Sequence, residues 1–178
     1  GCVECEELRV RRGGAAREGG GARVGRTREL FTGTHLTDGN HVTVLLNGEQ
    51  TYPAIWTELR NARETITLQM YYFEPGKMAD TLSAILRDRA QHGVAVHMLT
   101  DAFGGQKMKK EYVDQLKAAG VLTATFRPVH WYALQKLQNR SHIRAIVIDG
   151  RVGFTGGFGI ADKWFGNGHT KDQWRDTD

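Results

Sequence analysis

The chain has 178 residues, of which 40% are hydrophobic and 25% charged, with a net charge of +4 and a pI near 9.2. This composition suits one globular domain, and no run approaches the ~18 consecutive apolar residues of a membrane helix or the apolar core of a signal peptide. The positive charge favours anionic partners such as phospholipid headgroups or nucleic acid, although a basic surface that only confers solubility explains it equally well.

The first 34 residues differ in composition from the rest. They contain Gly-Gly and Gly-Gly-Gly runs broken by arginine, with few large apolar side chains. Residues 1–34 are therefore predicted to form a disordered tail, and residues 35–178 a folded domain. The arginines could contact phosphate groups, but acidic residues in the same stretch dilute their charge and favour a plain solvated tail.

The two cysteines, Cys2 and Cys5, form a C-x-x-C pair within this tail. A zinc site would need two further ligands, and His35 and His41 lie far beyond the spacing of a zinc finger. No helix signal follows Cys5 to support a redox site. We assign the pair no metal or redox role.

After the tail, strand-like and helix-like patterns alternate. Strands are predicted at 42–46, 65–73, 94–100 and 121–126, and helices from near Pro53, over 79–92 and over 108–119. Proline is favoured in a first helical turn, and Gly93 and Gly120 are typical helix ends. The alternation implies βαβ units, so the expected fold class is α/β, with a mixed, largely parallel sheet flanked by helices in one incomplete domain.

In such folds, function gathers where strands end. Asp101 ends one predicted strand, and we interpret it as a loop or helix-capping carboxylate rather than a site residue. Tyr71 and Tyr72 lie near the end of another strand; one is expected in the core and the other beside the site. Residues 131–137 form either an apolar rim for acyl chains or, as we prefer, a packed connection.

The most informative stretch is 142–149, His-Ile-Arg-Ala-Ile-Val-Ile-Asp, which reads as a buried strand. Alternate residues of a strand share a face, so His142 and Arg144 are predicted to point into the same space. A neutral imidazole beside a permanent cation combines a nucleophile with an anion clamp. Those are the groups needed to attack the phosphorus of a phosphodiester.

The residues alone leave a second interpretation open. Asp149-Gly150 lies between two strand-like runs and is a strong signal for a two-residue hairpin. Asp149 could therefore be only a turn residue, and His142 only a histidine at a strand end.

The H-x-[KR]-x4-D spacing, followed after six residues by Gly-Gly, resembles the signature of the phospholipase D superfamily. Further segments resemble its cardiolipin synthase branch, in order along the chain: 36–40, 71–75, 100–105, 152–157, 160–164 and 174–177. The resemblance covers nearly everything but the tail. It implies a phospholipase D-like domain over 35–178 that is the first half of a two-motif protein.

The resemblance also implies a phosphatidyltransferase or phospholipase D-type reaction on phospholipid that passes through a phosphohistidine. His142 would attack phosphorus, Arg144 would hold the non-bridging oxygens, and Asp149 would hold the local loop and histidine network. The glycines that would let the backbone approach the phosphate are Gly156, Gly157 and Gly159. No metal or organic cofactor is implied.

The chain departs from the family pattern at two positions, with Arg144 in place of the usual Lys and Gly159 in place of Asn. Arginine keeps the charge but differs in reach, and glycine removes an amide hydrogen bond. The family's site joins two motif histidines, whereas His142 alone among the seven histidines stands in such a motif. The second motif is therefore expected from a missing C-terminal half or from a homodimer partner.

Two alternatives remain: a homodimeric phospholipase D-like endonuclease, which would bind nucleic acid, and a catalytically inactive phosphate-binding remnant. Under the main interpretation, the partner is a phospholipid substrate at a membrane surface. The expected location is then peripheral to the bacterial inner membrane or cytoplasmic. Because the chain begins with Gly1 and stops at Asp178, just after a matching segment, we expect a fragment.

Overall fold

The computed structural model of the chain describes residue 33 and residues 39–126 and 142–178. The chain divides into two compact units, residues 1–44 and 45–178, and the first of these is described only at residues 33 and 39–44. The predicted tail, apart from Gly33, and the predicted connection at 131–137 lie outside the described residues.

The unit at 45–178 alternates helices and strands. Its elements are α1 (Asn47–Asn61), β1 (Thr65–Met70), α2 (Lys77–Gln91), β2 (Ala95–Asp101), α3 (Lys110–Ala118), β3 (Leu122–Phe126), β4 (Ala145–Ile148), β5 (Val152–Thr155) and a 3₁₀ turn (Asp162–Trp164). The sheet order is β3-β2-β1-β4-β5. Strands β1 to β3 pair in parallel, whereas β4 runs antiparallel to β1 and β5 to β4. The predicted mixed α/β fold is confirmed.

Alternation along the strands separates a covered face of the sheet from an open one. In β1, Ile66 and Leu68 are buried while Thr67 is exposed, because neighbouring residues of a strand point to opposite faces. The buried strand residues form one cluster with apolar side chains of the three helices. On other strands, Leu122 and Val147 are exposed, at 64% and 42%.

The prediction of a strand at 42–46 is wrong. Residues 42–45 have no regular structure, and Leu46 forms only an isolated antiparallel bridge to Thr177. A strand requires a continuous hydrogen-bonded neighbour, which a single bridge does not provide.

Helix α1 begins at Asn47, so the predicted start near Pro53 is wrong as well, and Pro53 lies inside the helix. The side chain of Gln50 accepts a hydrogen bond from the Leu46 N–H at 2.8 Å. A side chain at Gly48 would place its Cβ 1.9 Å from the Trp164 carbonyl oxygen. The earlier start therefore depends on contacts with a segment distant in sequence.

The strand ends nearest to the predicted motif also differ from prediction. Strand β1 ends at Met70 rather than Phe73, and β4 begins at Ala145, so His142 and Arg144 precede the strand instead of lying in it. The β1–β4 ladder stops at the pair Gln69–Ala145. Beyond that pair the two chains leave the sheet as loops.

Candidate functional site

The antiparallel pairing of β1 and β4 brings the first two residues of the motif, His142 and Arg144, to one end of the sheet. Because Gln69 lies opposite Ala145, the residues that precede β4 lie beside the residues that follow β1. His142 and Arg144 are thereby placed next to Tyr71.

His142 and Arg144 both lie against the ring of Tyr71. The His142 imidazole lies with its centroid 4.0 Å from the Tyr71 ring centroid, at an interplanar angle of 50°. The guanidinium Cζ of Arg144 lies 5.7 Å from the centroid of the same ring. The structure thus brings together the predicted nucleophile and the predicted anion clamp, although neither residue lies in a strand.

Arg144 has one hydrogen-bond donor without a partner in the part of the chain that the structure describes. Its backbone carbonyl accepts a hydrogen bond from the Thr155 hydroxyl at 3.0 Å, which ties the loop to β5. Its side-chain Nε is buried and has no hydrogen-bond partner within the described part of the chain. A buried donor without a partner is costly, and a phosphate oxygen would satisfy it with a charge-assisted hydrogen bond.

Asp149 lies at the opposite end of β4, separated from His142 by about 20 Å of extended chain. Its carboxylate accepts hydrogen bonds from the backbone N–H groups of Arg63, Glu64 and Thr65 at 3.0, 2.9 and 2.8 Å. Its φ is +51° and that of Gly150 is +61°, as a tight hairpin requires. Asp149 therefore lies in the hairpin turn, and the structure does not bring it to His142; its role in the motif stays a prediction.

We expect Asp149→Asn to lower the stability of the chain at neutral pH. The Thr65 N–H, followed by those of Arg63 and Glu64, lowers the pKa of Asp149, so the ionised form is the one that the fold favours. This contribution is present above the carboxylate's unfolded pKa and is lost as the pH falls through its folded pKa. Asparagine tolerates the positive φ, so the variant keeps the turn while it removes the charge and one of the two acceptor oxygens.

The urea midpoints of the wild-type chain and of Asp149→Asn should differ at neutral pH. This gap between the midpoints should shrink as the pH is lowered. The control is Asp114→Asn, which changes the same charge at an exposed ion pair with Lys110 at 3.7 Å and should have little effect. A gap that stays constant down to acidic pH would contradict this account.

The glycine pair after β5 is covered by the C-terminal segment. A Cβ on Gly156 would lie 1.8 Å from Oδ1 of Asp178, and one on Gly157 would lie 2.1 Å from Oδ1 of Asp176. The absence of side chains at these two glycines therefore leaves room for two carboxylates. Their predicted contact with a phosphate stays a prediction.

Sequence reasoning missed the carboxylate of Asp178 and its partner Thr51. The Thr51 hydroxyl donates to Oδ2 of Asp178 at 2.9 Å, and Thr51 is fully buried. Burial raises the pKa of Asp178 to about 6, opposed by the hydrogen bond from Thr51, and the charge of Arg144 also counteracts the rise. The nearest sequence signal was the 174–177 segment, which ends one residue before Asp178. Nothing in its residue spacing links it to Thr51.

We expect the chain to gain stability as the pH falls from about 7 towards 4. The folded pKa of Asp178 is about 6, above its ordinary value, so folding favours the protonated carboxyl; the penalty for ionisation is present above that pKa and is relieved below it. Urea midpoints at pH 7.5 and pH 5 should therefore differ more for the wild-type chain than for Asp178→Asn. An equal change in both proteins would contradict the expectation.

Gly159 lies in the packed interior. A Cβ there would lie 2.9 Å from the Tyr72 Cβ and 3.0 Å from the Trp164 ring, and its carbonyl accepts a hydrogen bond from the buried Tyr52 hydroxyl at 2.7 Å. These contacts give Gly159 a packing role. The phosphate contact predicted for it stays a prediction.

The loop after β2 packs against the backbone of Tyr71. Asp101 is 2% exposed, and its carboxylate accepts the N–H groups of Phe103 and Gly104 at 2.8 and 3.3 Å, which confirms its interpretation as a loop carboxylate. A Cβ on Gly104 would lie 1.8 Å from the Tyr71 carbonyl oxygen. Only glycine permits this close approach.

Tyr72 belongs to a polar cluster that also involves Lys107 of the same loop. The ammonium of Lys163 donates to the Tyr72 hydroxyl at 2.6 Å and lies 3.2 Å from Glu74, which also pairs with Lys107. The hydrogen bond from Lys107 lowers the pKa of Glu74 to about 2. This cluster connects three loops, and Tyr71 is the tyrosine of the pair that borders the motif.

No group of three or more His, Cys, Asp or Glu side chains able to hold a metal occurs among the described residues; Cys2 and Cys5 lie outside them. Within the same ranges, no helix has the length and apolarity needed to cross a bilayer.

Comparisons with known proteins agree with the motif and the fold. The sequence profile described as "Cardiolipin synthase, PLD-like domain" matches residues 55–169. The chain is 39% identical over 139 residues to a cardiolipin synthase of Geobacillus kaustophilus, and 32% identical over 139 residues to cardiolipin synthase A of Pseudomonas fluorescens. Each alignment covers 78% of this chain but only 28% and 29% of those relatives, so the chain spans less than a third of their length.

Two solved structures share the fold. The phospholipase D family member Nuc of Salmonella typhimurium aligns with a TM-score of 0.54 at 14% identity, over 76% of this chain and 79% of that chain. NucT of Helicobacter pylori aligns with a TM-score of 0.57 at 13% identity, over 76% of this chain and 82% of that chain. At these identities, the likeness concerns the fold alone.

Proposed function

The chain belongs to the family of phospholipase D-like domains of cardiolipin synthase, and from that premise we propose that it supplies the nucleophilic half of a site for phosphatidyl transfer or phospholipid hydrolysis. The observation that carries the proposal is the placement of His142 and Arg144 against one aromatic ring just before β4. The imidazole would act as nucleophile beside a guanidinium whose buried Nε has no partner among the described residues.

In the proposed first step, a nitrogen of His142 attacks the phosphorus of a phospholipid. The P–N bond forms as the P–O bond to the leaving alcohol breaks, and the departing oxygen takes the electron pair and a proton from a general acid. Arg144 binds the non-bridging oxygens and offsets the charge that develops on them.

In the second step, an acceptor oxygen attacks the phosphohistidine. The new P–O bond forms as the P–N bond breaks, and the acceptor's proton passes to a base. Water as acceptor gives hydrolysis, and an alcohol gives transfer. A second motif, from the rest of a longer protein or from another copy of the chain, would supply the acid and the base.

The other predicted residues would assist this pair. Asp149 would keep β4 in register with β1 through its three backbone hydrogen bonds, which makes it a positioning residue. Gly156 and Gly157 would supply backbone close to the bound phosphate. The protein would work at the surface of the bacterial inner membrane, where its substrate lies.

The test uses an ester whose leaving group departs without a general acid, because half of the site is then sufficient for the first step. A short-chain phosphatidyl 4-nitrophenol should release about one equivalent of 4-nitrophenolate per chain in a burst, the kinetic mark of a covalent intermediate. His142→Asn should abolish the burst. His97→Asn, which changes an exposed histidine of β2, should leave it intact.

A nuclease is the competing function, favoured by the pI near 9.2. Thymidine 5′-(4-nitrophenyl) phosphate carries the same leaving group on a nucleotide, so the two esters differ only in the group retained on phosphorus. A faster burst with the phosphatidyl ester supports the proposal, and a faster burst with the nucleotide ester supports the nuclease. A burst that survives His142→Asn would refute both.

A further inference from the structure

We propose that Tyr71 is a positioning residue for this reaction, and that its ring is the platform that fixes the imidazole of His142 relative to the guanidinium of Arg144. The inference rests on the proposed function of those two residues. It assigns a role to a side chain outside the H-x-[KR]-x4-D motif and 71 positions away from His142 in sequence.

His142 lies outside the sheet, in the loop before β4. The residue is exposed, as is its neighbour Ile143 at 56%, and within the described ranges neither residue belongs to a strand ladder. An exposed side chain on such a loop samples several rotamers. Contact with the Tyr71 ring at 4.0 Å between centroids restricts the imidazole to one side of that ring.

A positive charge develops on the His142 ring during the proposed reaction. Attack by a neutral imidazole that keeps its second N–H makes the ring cationic, close to the permanent cation of Arg144. The face of an aromatic ring attracts cations, and Arg144 already lies over the Tyr71 ring at 5.7 Å. The Tyr71 ring, which both groups contact, therefore stabilises both cationic groups during the reaction.

Tyr71 is itself held in place by the loop that follows β2. The Gly104 Cα approaches Tyr71 so closely that a Cβ would lie 1.8 Å from the Tyr71 carbonyl oxygen and 3.1 Å from its Cδ2. The Phe73 N–H donates to the Gly104 carbonyl at 3.4 Å, and the buried Asp101 carboxylate holds the same loop. These contacts hold the backbone of Tyr71 in place, and Gly104 limits the space open to one edge of its ring.

The test compares Tyr71→Phe, which keeps the ring, with Tyr71→Leu, which removes it; Tyr71→Met is a second ring-free variant in case leucine prevents folding. The first readout is the chemical shift of the His142 ring protons, assigned by their loss in His142→Asn. An aromatic ring in contact displaces these shifts, so wild type and Tyr71→Phe should agree, and the ring-free variants should move towards the values of a free histidine.

The second readout is the burst rate with the phosphatidyl ester. Tyr71→Phe should stay close to the wild-type rate, and the ring-free variants should fall by about 10- to 100-fold, the effect of a small misplacement of reacting groups. Phe103→Leu removes an exposed ring from the neighbouring loop and should change neither readout.

Unchanged His142 shifts in Tyr71→Leu or Tyr71→Met would overturn the proposal, as would a wild-type burst rate in those variants. A wild-type chain that gives no burst at all would defeat the proposed function instead. The His142 shifts would then decide on their own whether Tyr71 is the platform.

Discussion

Replacing Arg144 by glutamine is expected to slow the burst with the phosphatidyl ester by about 10²- to 10³-fold, the cost of removing one preorganised donor to a developing oxyanion. Arg144 is half-buried beside His142, and its Nε has no protein partner in the described ranges. Glutamine keeps a polar side chain of moderate length but removes the charge. Arg144→Lys keeps the charge without the forked donor, so its rate should lie between those of wild type and Arg144→Gln.

The matched control for Arg144 is Arg151→Gln. Arg151 is exposed in the turn between β4 and β5, so the variant makes the same change in net charge at the other end of the strand. It should leave the burst within about twofold of wild type, since exposed charges at that distance are largely screened. Equal losses in the two variants would show that Arg144 acts through overall charge, which would contradict the account.

Gly104→Ala is expected to be the most damaging small substitution near the site. The added Cβ would lie 1.8 Å from the Tyr71 carbonyl oxygen, and because that contact is with backbone, one of the two loops has to move. Overpacking of this kind costs about 1–3 kcal/mol. The displaced Tyr71 should also slow the burst, since His142 and Arg144 both lie against its ring.

Gly153→Ala tests whether this effect is specific to the site. The same methyl group at Gly153, in β5, would meet only the Ile146 carbonyl oxygen at 3.9 Å. Alanine there should be neutral or slightly stabilising, because it reduces the conformational freedom of the unfolded chain. Urea denaturation compares the two variants, and similar free energies of unfolding would contradict the close packing of Gly104 on Tyr71.

The fold was largely predictable because its pattern is local. Alternating apolar residues in β1 and helical spacing in α2 are visible in the sequence, and Asp149-Gly150 predicts the hairpin that the structure contains. The errors lie where long-range contacts decide. Helix α1 starts six residues before Pro53, beneath the Trp164 carbonyl, and no local signal reports that contact.

The site was predictable only in part, for the same reason. The spacing of His142 and Arg144 predicts that they share a space, and the structure brings them together through Tyr71. Which of two adjacent tyrosines borders them depends on where β1 ends and on its pairing with β4. Thr51 and Asp178 meet across 127 positions, and no sequence period connects residues so far apart.

The most direct test of the central claim is to locate the phosphorus after the burst. The chain is quenched after one turnover with the phosphatidyl ester, digested under conditions that preserve phosphoramidate bonds, and mapped by mass spectrometry. We expect one phosphatidyl group, carried by His142. An adduct on another residue, or a burst without any covalent adduct, would contradict it.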